Sequence, residues 1–390
     1  MKLGEPYGGK IISRMVDENK RADLTSQADG LPKIKPFIDA IYDLEKIGIG
    51  AYSPLEGYMD KETYLSVINN EKLPNGLPWT MPICLAPPTP ENGKVLETLK
   101  NGDDVAILDW TDKPFAILHL EDKFNYDKKE YAQKVYATTD ENHPNVGDIY
   151  NSLGDVMLGG KVDIIRRLDL PAGKYELTPI EMREHITKMG WKNTVGYQCR
   201  NPPHTAHEYI QRLSMERDEM EGIIIHPVVG RLKIGDYKPA IIMEAYQELV
   251  NAYYPPDRCL LASLSITMRY GGPKAALFLA IVRKNYGCTH YIVGRDQAGL
   301  KEYYTPYECH DIFDRHDVGI APLKYKAAHF CRRCGGMSSP KVCPHPKEDH
   351  ISTSQTKIRG LLKEGKEIPG EIVRPEVAKI LSKQDIFVTE

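Results

Sequence analysis

Turn signals punctuate the first part of the chain. Leu73-Pro74-Asn75-Gly76, Glu91-Asn92-Gly93 and Lys100-Asn101-Gly102-Asp103 separate short apolar stretches such as Trp79–Leu85, Val105–Leu108 and Phe115–Leu118. Short apolar runs between frequent turns predict a mostly β domain, interrupted by a helix over Lys61–Asn69. Pro171-Ala172-Gly173 marks a boundary. Beyond it, Ile223–Val229 and Leu260–Ile266 read as buried strands and His290–Val293 as another. Lys274–Tyr286 reads as a helix, with Pro273 at its start and Gly287 just past its end. This alternation predicts an α/β domain, a parallel sheet covered by helices. Ligands of such sheets sit beyond the carboxyl ends of the strands. Three segments fall there: Gln198–Asn201, Arg269–Pro273 and Gly294–Gly299. From about Pro322 the chain holds a cysteine cluster with Gly335-Gly336 and Pro340 in its loops, then helical stretches over Ile358–Glu364 and Pro375–Lys383. No repeat of fixed period is present. The expected division is residues 1–173, 174–321 and 322–390.

Composition narrows the partners. Of 390 residues, 41% are hydrophobic and 27% charged, enough apolar sequence for sizeable cores. With 51 basic against 54 acidic residues the net charge is -3, so neither a nucleic-acid nor a membrane surface is implied. An anion site would need a local field from a few Arg and His side chains and helix N-termini. No apolar run is long enough to span a bilayer, and Met1-Lys2-Leu3-Gly4-Glu5-Pro6 lacks the apolar core of a signal peptide. The expected location is cytoplasmic.

The densest chemistry lies in Val195-Gly196-Tyr197-Gln198-Cys199-Arg200-Asn201-Pro202-Pro203-His204-Thr205-Ala206-His207. A strand ending near Cys199 would lead into it. Pro202 and Pro203 disfavour helix before them and suit a first helical turn. His204 and His207 would then share one helix face. Free N–H groups at a helix N-terminus, two imidazoles and Arg200 suit a phosphate, and phosphoryl transfer needs mainly positioning and charge neutralisation. The plain alternative is two helix-face histidines beside a surface arginine. Zinc held by the pair is another, although the glutamate of H-E-x-x-H is absent.

Gln198-Cys199-Arg200-Asn201-Pro202 followed by His204-Thr205-Ala206-His207 resembles the signature of the ATP sulfurylases (sulfate adenylyltransferases). The H-x-x-H part is shared with nucleotidyltransferases at large; the Gln-x-Arg-Asn part makes the resemblance specific. Tyr291-Ile292-Val293-Gly294-Arg295-Asp296-Gln297-Ala298-Gly299 resembles the family's G-R-D-H-A-G loop, with Gln297 in place of His. Gln297 keeps hydrogen bonding but loses the titratable imidazole. A tight turn with Arg295 and Asp296 paired is the alternative reading of that loop. Met268-Arg269-Tyr270-Gly271-Gly272-Pro273-Lys274 is similar to the family's M-R-Y-A-G-P-R/K, and both an anion or ribose contact and a simple helix cap stay open for it. His226–Asp236 matches a further family stretch, without a role for Lys233 or Asp236. Tyr52-Ser53-Pro54-Leu55-Glu56-Gly57-Tyr58-Met59 matches the motif of the family's PUA-like N-terminal β domain, read as packing and dimer support rather than RNA binding.

The resemblance implies a Rossmann-like α/β nucleotidyltransferase catalytic domain, a PUA-like mostly-β N-terminal domain and a small C-terminal zinc-containing α/β segment. The implied reaction joins ATP and sulfate into adenosine 5′-phosphosulfate and pyrophosphate, reversibly, by in-line attack on the α-phosphorus. Mg²⁺ would accompany ATP, and the protein would be a homodimer. By resemblance, Gln198, Arg200 and the Ala298 N–H face sulfate, and His204 and His207 meet the phosphates, where charge develops. Gln198 and Asn201 also reach ATP, and Gly294, Arg295, Asp296 and Gln297 hold its nucleoside. Cys199 belongs to the catalytic segment but stands where many relatives have Thr. A thiol is a weaker donor than a hydroxyl, so its expected role is backbone support or packing, not nucleophilic attack.

Of eight cysteines, Cys331, Cys334 and Cys343 lie close together and the rest are scattered, a pattern of a local metal site rather than a disulfide framework. His345 or His350 would complete a Cys₃His zinc set. Only Pro344 separates Cys343 from His345, a tight chelate, so His350 is favoured; redox or free thiols are the alternative. Some bacterial and archaeal ATP sulfurylases carry such a zinc site, which agrees. Ser354-Gln355-Thr356-Lys357-Ile358-Arg359 resembles the S-G/S-T-x-I/V-R element of nucleotidyltransferases, though a plain N-cap with a surface arginine is the simpler reading. A fused kinase would need G-x-x-x-x-G-K-[ST]. In Gly154-Asp155-Val156-Met157-Leu158-Gly159-Gly160-Lys161-Val162 the Lys is late and Val162 has no hydroxyl, so the stretch reads as a β turn and no P-loop kinase is expected. Two competing functions remain: an adenylyltransferase of the same fold with another acceptor, and a zinc-stabilised RNA-binding protein using the PUA-like domain and Arg332-Arg333.

Overall fold

Three sheets carry the architecture of the computed structural model, which describes residues 4–389. Met1–Leu3, where the segment read for a signal peptide begins, and Glu390 lie outside the described residues. The first sheet runs in the order β1 (Lys33–Ile34), β3 (Asp104–Leu108), β4 (Pro114–Asn125), β5 (Val156–Ile164), β2 (Gly57–Tyr58). All its pairings are antiparallel except β1 with β3. Alternating side chains do not explain β5, whose Gly159 and Gly160 suggested a turn. The expected turn at Gly154–Val162 is therefore corrected to a strand from Val156 on. The two glycines are there because the chains crowd: a Cβ on Gly160 would lie 2.0 Å from the His119 carbonyl oxygen, and one on Gly159 2.6 Å from the Asp60 backbone.

The helix Lys61–Asn70 forms close to expectation, started by the Asp60 carboxylate accepting from the Thr63 N–H at 2.8 Å and stopped by Glu71 in the left-handed region. Trp79–Leu85 is buried but joins no sheet as a strand; one bridge, Leu85 to Leu158, is its only ladder contact among the described residues.

The second sheet is wholly parallel, in the order β10 (Ala321–Lys324), β9 (His290–Val293), β6 (Thr194–Tyr197), β7 (Gly222–Ile225), β8 (Cys259–Leu261). Two expected strands are shorter than their apolar runs. Pro227 has no N–H to give, so regular pairing stops at Ile225 and resumes as a single bridge between Val228 and Leu264. The helix Pro273–Asn285 is buried nearly all round because it lies between this sheet and the N-terminal domain. Its Phe278 meets Tyr52 and Trp79 with ring centroids 5.1 and 5.5 Å apart. Two buried ion pairs cross the same junction, Lys46 with Glu176 and Arg269 with Asp43. The third sheet is small and antiparallel, with β11 (His329–Cys331) between β12 (Gly336–Ser338) and β13 (His350–Ile351). No helix among the described residues is long and apolar enough to cross a membrane.

Candidate active site

The chain runs from β6 outward to β7 and β8, then returns to place β9 and β10 on the other side. β6 and β9 therefore flank a topological switch point, where loops diverge and leave a crevice. β6 ends at Tyr197 and β9 at Val293, so Gln198–Asn201 and Gly294–Gly299 leave the sheet side by side at that crevice.

His204 does not share a helix face with His207, as its spacing suggested. It is the N-cap, with extended φ and ψ of -133 and 168, and the helix is Thr205–Met215. Its ring folds over the first turn and accepts the His207 backbone N–H at 3.4 Å. The imidazoles stack with centroids 3.5 Å apart. Burial and the neighbouring His207 hold His204 well below the usual histidine range, and burial pulls His207 down to about 3. Both rings are neutral at pH 7. Because His204 Nδ1 accepts, its proton sits on Nε2, and it offers an N–H donor. The helix terminus is partly used within the chain. The Thr205 N–H donates to the Ile372 carbonyl at 3.0 Å and its hydroxyl to the Glu371 carbonyl at 2.7 Å.

Arg200 is gripped from two sides. Nη1 donates to the Tyr270 hydroxyl at 2.6 Å, and Nη2 to Asp236 at 3.2 Å and the Arg231 carbonyl at 3.5 Å. Gln198 is 8% exposed. Among the described residues, its Nε2 finds only the Met268 sulfur at 3.8 Å, and its Oε1 has no partner. A buried amide this poorly satisfied calls for a ligand or water. Gly272 donates its N–H to the Ala298 carbonyl at 3.0 Å. The Met268–Gly272 loop thus touches both other segments, and all three expected motifs meet at one sheet edge. Gly272 has φ 53, and a Cβ there would lie 2.5 Å from the Tyr304 ring, so this close approach needs glycine. Arg269 itself takes the structural role: it is buried and paired with Asp43.

In the Gly294–Gly299 loop, Asp296 and Ala298 both have positive φ, 53 and 56. Arg295 pairs with Asp296 at 2.9 Å, as the turn reading expected. Among the described residues, nothing accepts the Ala298 N–H. Gln297 is tethered through Nε2 to the Tyr291 hydroxyl at 3.0 Å. A cleft of about 780 Å³, within the range that takes small-molecule ligands, runs from this loop past His204 and His207. Its far wall comes from the C-terminal segment: Lys326, His329, Lys347, His350 and Ser354. Gln198, Arg200 and Asn201 do not line it; Gln198 and Arg200 contact the Met268–Gly272 loop, and Asn201 lies beside Cys199 and Arg359. Cys199 is 3.7 Å from His207 Nε2, accepts the Asn201 N–H at 3.4 Å, and burial pushes its thiol up. A protonated, packed thiol is no nucleophile.

Sequence reading gave no role to several residues that shape this site. Arg359 reaches Asn201 Oδ1 at 3.4 Å and also the Gly235 carbonyl, so it is not a plain surface arginine. Gln355 donates to the Pro202 carbonyl at 2.9 Å, while Ser354 is the N-cap of Gln355–Lys363. Tyr270 and Asp236 were both inside quoted motifs, but their contacts with Arg200 span 70 and 36 residues.

The cysteine cluster closes on His345. Cys331, Cys334, Cys343 and His345 place their ligand atoms within 4.8 Å of one another. His345 Nδ1 lies 3.4, 3.3 and 3.8 Å from the three sulfurs. His350, the favoured fourth ligand from spacing, lies 3.6 Å from the Cys343 sulfur only, whereas the alternative, His345, faces all three sulfurs. His350 groups with His329 and Cys343 instead, and stacks on His329 with centroids 3.6 Å apart. Across the short Cys-Pro-His link the Cys343 sulfur and His345 Nδ1 come within 3.8 Å. Gly335, at φ 69, lets the Cys331–Cys334 knuckle fold, and the Cys334 N–H points at the Cys331 sulfur at 3.4 Å. Three thiols and an imidazole in one closed group fit a tetrahedral metal ion.

Comparisons with known proteins agree with this geometry. The ATP-sulfurylase family model matches residues 173–384, and a PUA-like domain model matches residues 4–167. A sulfate adenylyltransferase of Staphylothermus marinus is 43% identical over 99% of this chain and 100% of its own. One from Halothermothrix orenii is 42% identical over 97% of this chain and 98% of its own. Among solved structures, a hexameric APS kinase from Thiobacillus denitrificans superposes with a TM-score of 0.78 at 23% identity, covering 98% of this chain and 69% of that one, a likeness of fold. Full-length relatives at this identity and three motifs meeting at one switch point lead to one statement: this chain belongs to the ATP-sulfurylase family.

Proposed function

We propose that the crevice between β6 and β9 is where this chain performs its family's reaction, with the residues assigned as follows. The chain is a nucleotidyltransferase that transfers the adenylyl group of ATP to sulfate, giving adenosine 5′-phosphosulfate and pyrophosphate. Sulfate is already ionised at neutral pH, so its oxygen attacks the α-phosphorus in line without a general base, and pyrophosphate leaves. The task is to hold two anions together against repulsion. Arg200, the under-satisfied Gln198 amide and the unpaired Ala298 N–H receive sulfate. The neutral His204 donates its Nε2–H, and His207 lies stacked beside it, where charge develops on the phosphates. Asn201 turns to the phosphates, while Gly294, Arg295, Asp296 and Gln297 hold the nucleoside. Asp296 is occupied by Arg295, which suits Mg²⁺ arriving on ATP and needing few protein ligands.

Zn²⁺ fits the Cys331, Cys334, Cys343, His345 group and would act structurally, since the set leaves no open position. The protein is a cytoplasmic homodimer in this reading, with no nucleic-acid partner. The convergence of Gln198, Arg200 and Ala298 on the Met268–Gly272 loop carries the assignment. Arg200→Ala tests it: turnover should vanish while circular dichroism and zinc content stay unchanged. Near-normal turnover in that variant would refute the site.

A further inference from the structure

We infer that the start of the helix Pro144–Asn151 of the N-terminal domain, with its N-cap His143, is a positioning element for Arg200, and so tunes the grip of the catalytic domain on sulfate. Both supports of Arg200 are tethered to that helix start. One support is Tyr270, whose hydroxyl accepts from Arg200 at 2.6 Å. Its backbone is held by two buried side chains. The Asn145 carboxamide oxygen accepts the Tyr270 N–H at 2.9 Å, and the Asn145 NH₂ donates to the Met268 carbonyl at 3.3 Å. His143 Nε2 donates to the Tyr270 carbonyl at 3.0 Å.

The other support is the loop carrying Arg231 and Asp236. Asp148 takes both Nη atoms of Arg231, at 2.6 and 3.3 Å, and Asp39 takes Nη1 at 3.2 Å. The guanidinium also lies 4.8 Å above the Phe37 ring. That bidentate fork fixes direction as well as distance. The Arg231 carbonyl and the Asp236 carboxylate then face Arg200 Nη2. A guanidinium held by two loops moves when either loop relaxes. A shift of about 1 Å in a positioning group is enough to cost a large factor in turnover.

Bulk stability of the junction has other sources as well: the shared apolar core and the Lys46–Glu176 pair, and the ion pair has no contact with Arg200 among the described residues. This separates positioning from simple cohesion. The inference rests on Arg200 as the sulfate cation. Asn145→Ala and Asp148→Asn should each raise the sulfate KM roughly tenfold or more, leaving the ATP KM within about twofold and the zinc content unchanged. Lys46→Met, which loosens the junction elsewhere, should lower the unfolding temperature without moving the sulfate KM. Arg231→Lys keeps the charge but loses the fork, and should behave like Asp148→Asn; it serves if the other variants fold poorly. Equal rises in both KM values, or a sulfate KM that Lys46→Met moves as much, would overturn the inference. The parent reading is checked apart from it, by thermal protection of Arg200→Ala with sulfate plus a non-hydrolysable ATP analogue. Protection equal to wild type would sink that reading, whereas lost protection beside unaltered Asn145→Ala and Asp148→Asn kinetics would sink only the positioning role.

Discussion

Replacing His207 with Asn removes a proton uptake by the unfolded chain that the native ring does not share, and the size of the effect follows from burial. Packing holds the native His207 pKa at about 3, while an unfolded histidine titrates near 6.5. Below pH 6.5 the unfolded chain takes up a proton that the native ring refuses. The stabilising difference is fully present above that pH and shrinks as pH falls toward 3. Each pH unit is worth about 1.4 kcal/mol, so the step from pH 7 to 5 removes about 2 kcal/mol through this one residue. One edge of the ring meets the cleft, which makes that figure a ceiling. Urea unfolding at pH 7, 6 and 5 and fixed ionic strength measures it for wild type and His207→Asn. The wild-type curve should fall more steeply, with the difference between the two changing by up to about 2 kcal/mol across the series. Parallel curves would mean that His207 is not held neutral, and the account of the stacked pair as uncharged would fail.

Three further outcomes are expected. His345→Ala should lose bound zinc, as read by elemental analysis of freshly purified protein, while His350→Ala keeps it; the reverse result would restore His350 as the ligand. Lys46→Met strands the fully buried Glu176 charge and should cost about 3–5 kcal/mol of stability, with most of it returned in Lys46→Met combined with Glu176→Gln. Cys199→Ser should keep turnover within a few-fold, and wild-type Cys199 should resist alkylation at pH 7, because burial keeps its thiol protonated; complete loss of activity in the serine variant would make the sulfur a participant.

Local chemistry was legible wherever short-range pattern decides structure. β9 occupies His290–Val293 as its apolar run predicts, and the helix Pro273–Asn285 starts and stops at its proline and glycine signals. The motif segments fell at the sheet edge because alternating strands and helices force loops there. What escaped depends on contacts distant in sequence. Gly159 and Gly160 look like a turn until the backbones of His119 and Asp60 are seen pressing on them. His204 spacing suggested a helix face, but the N-cap conformation turns its ring over the first turn. Tyr270, Asp236 and Arg359 reach the motif residues from far along the chain, and no spacing rule encodes those meetings. The preference for His350 rested on the tight Cys-Pro-His chelate, whereas His345 Nδ1 lies within 3.8 Å of all three sulfurs.

The central claim is that this crevice joins sulfate to the α-phosphate of ATP, and sulfate-dependent exchange of labelled pyrophosphate into ATP tests it most directly. Exchange should require sulfate and Mg²⁺ together and disappear in Arg200→Ala. Exchange that proceeds equally well without sulfate, or that is absent from folded, zinc-replete wild-type protein, would contradict the account.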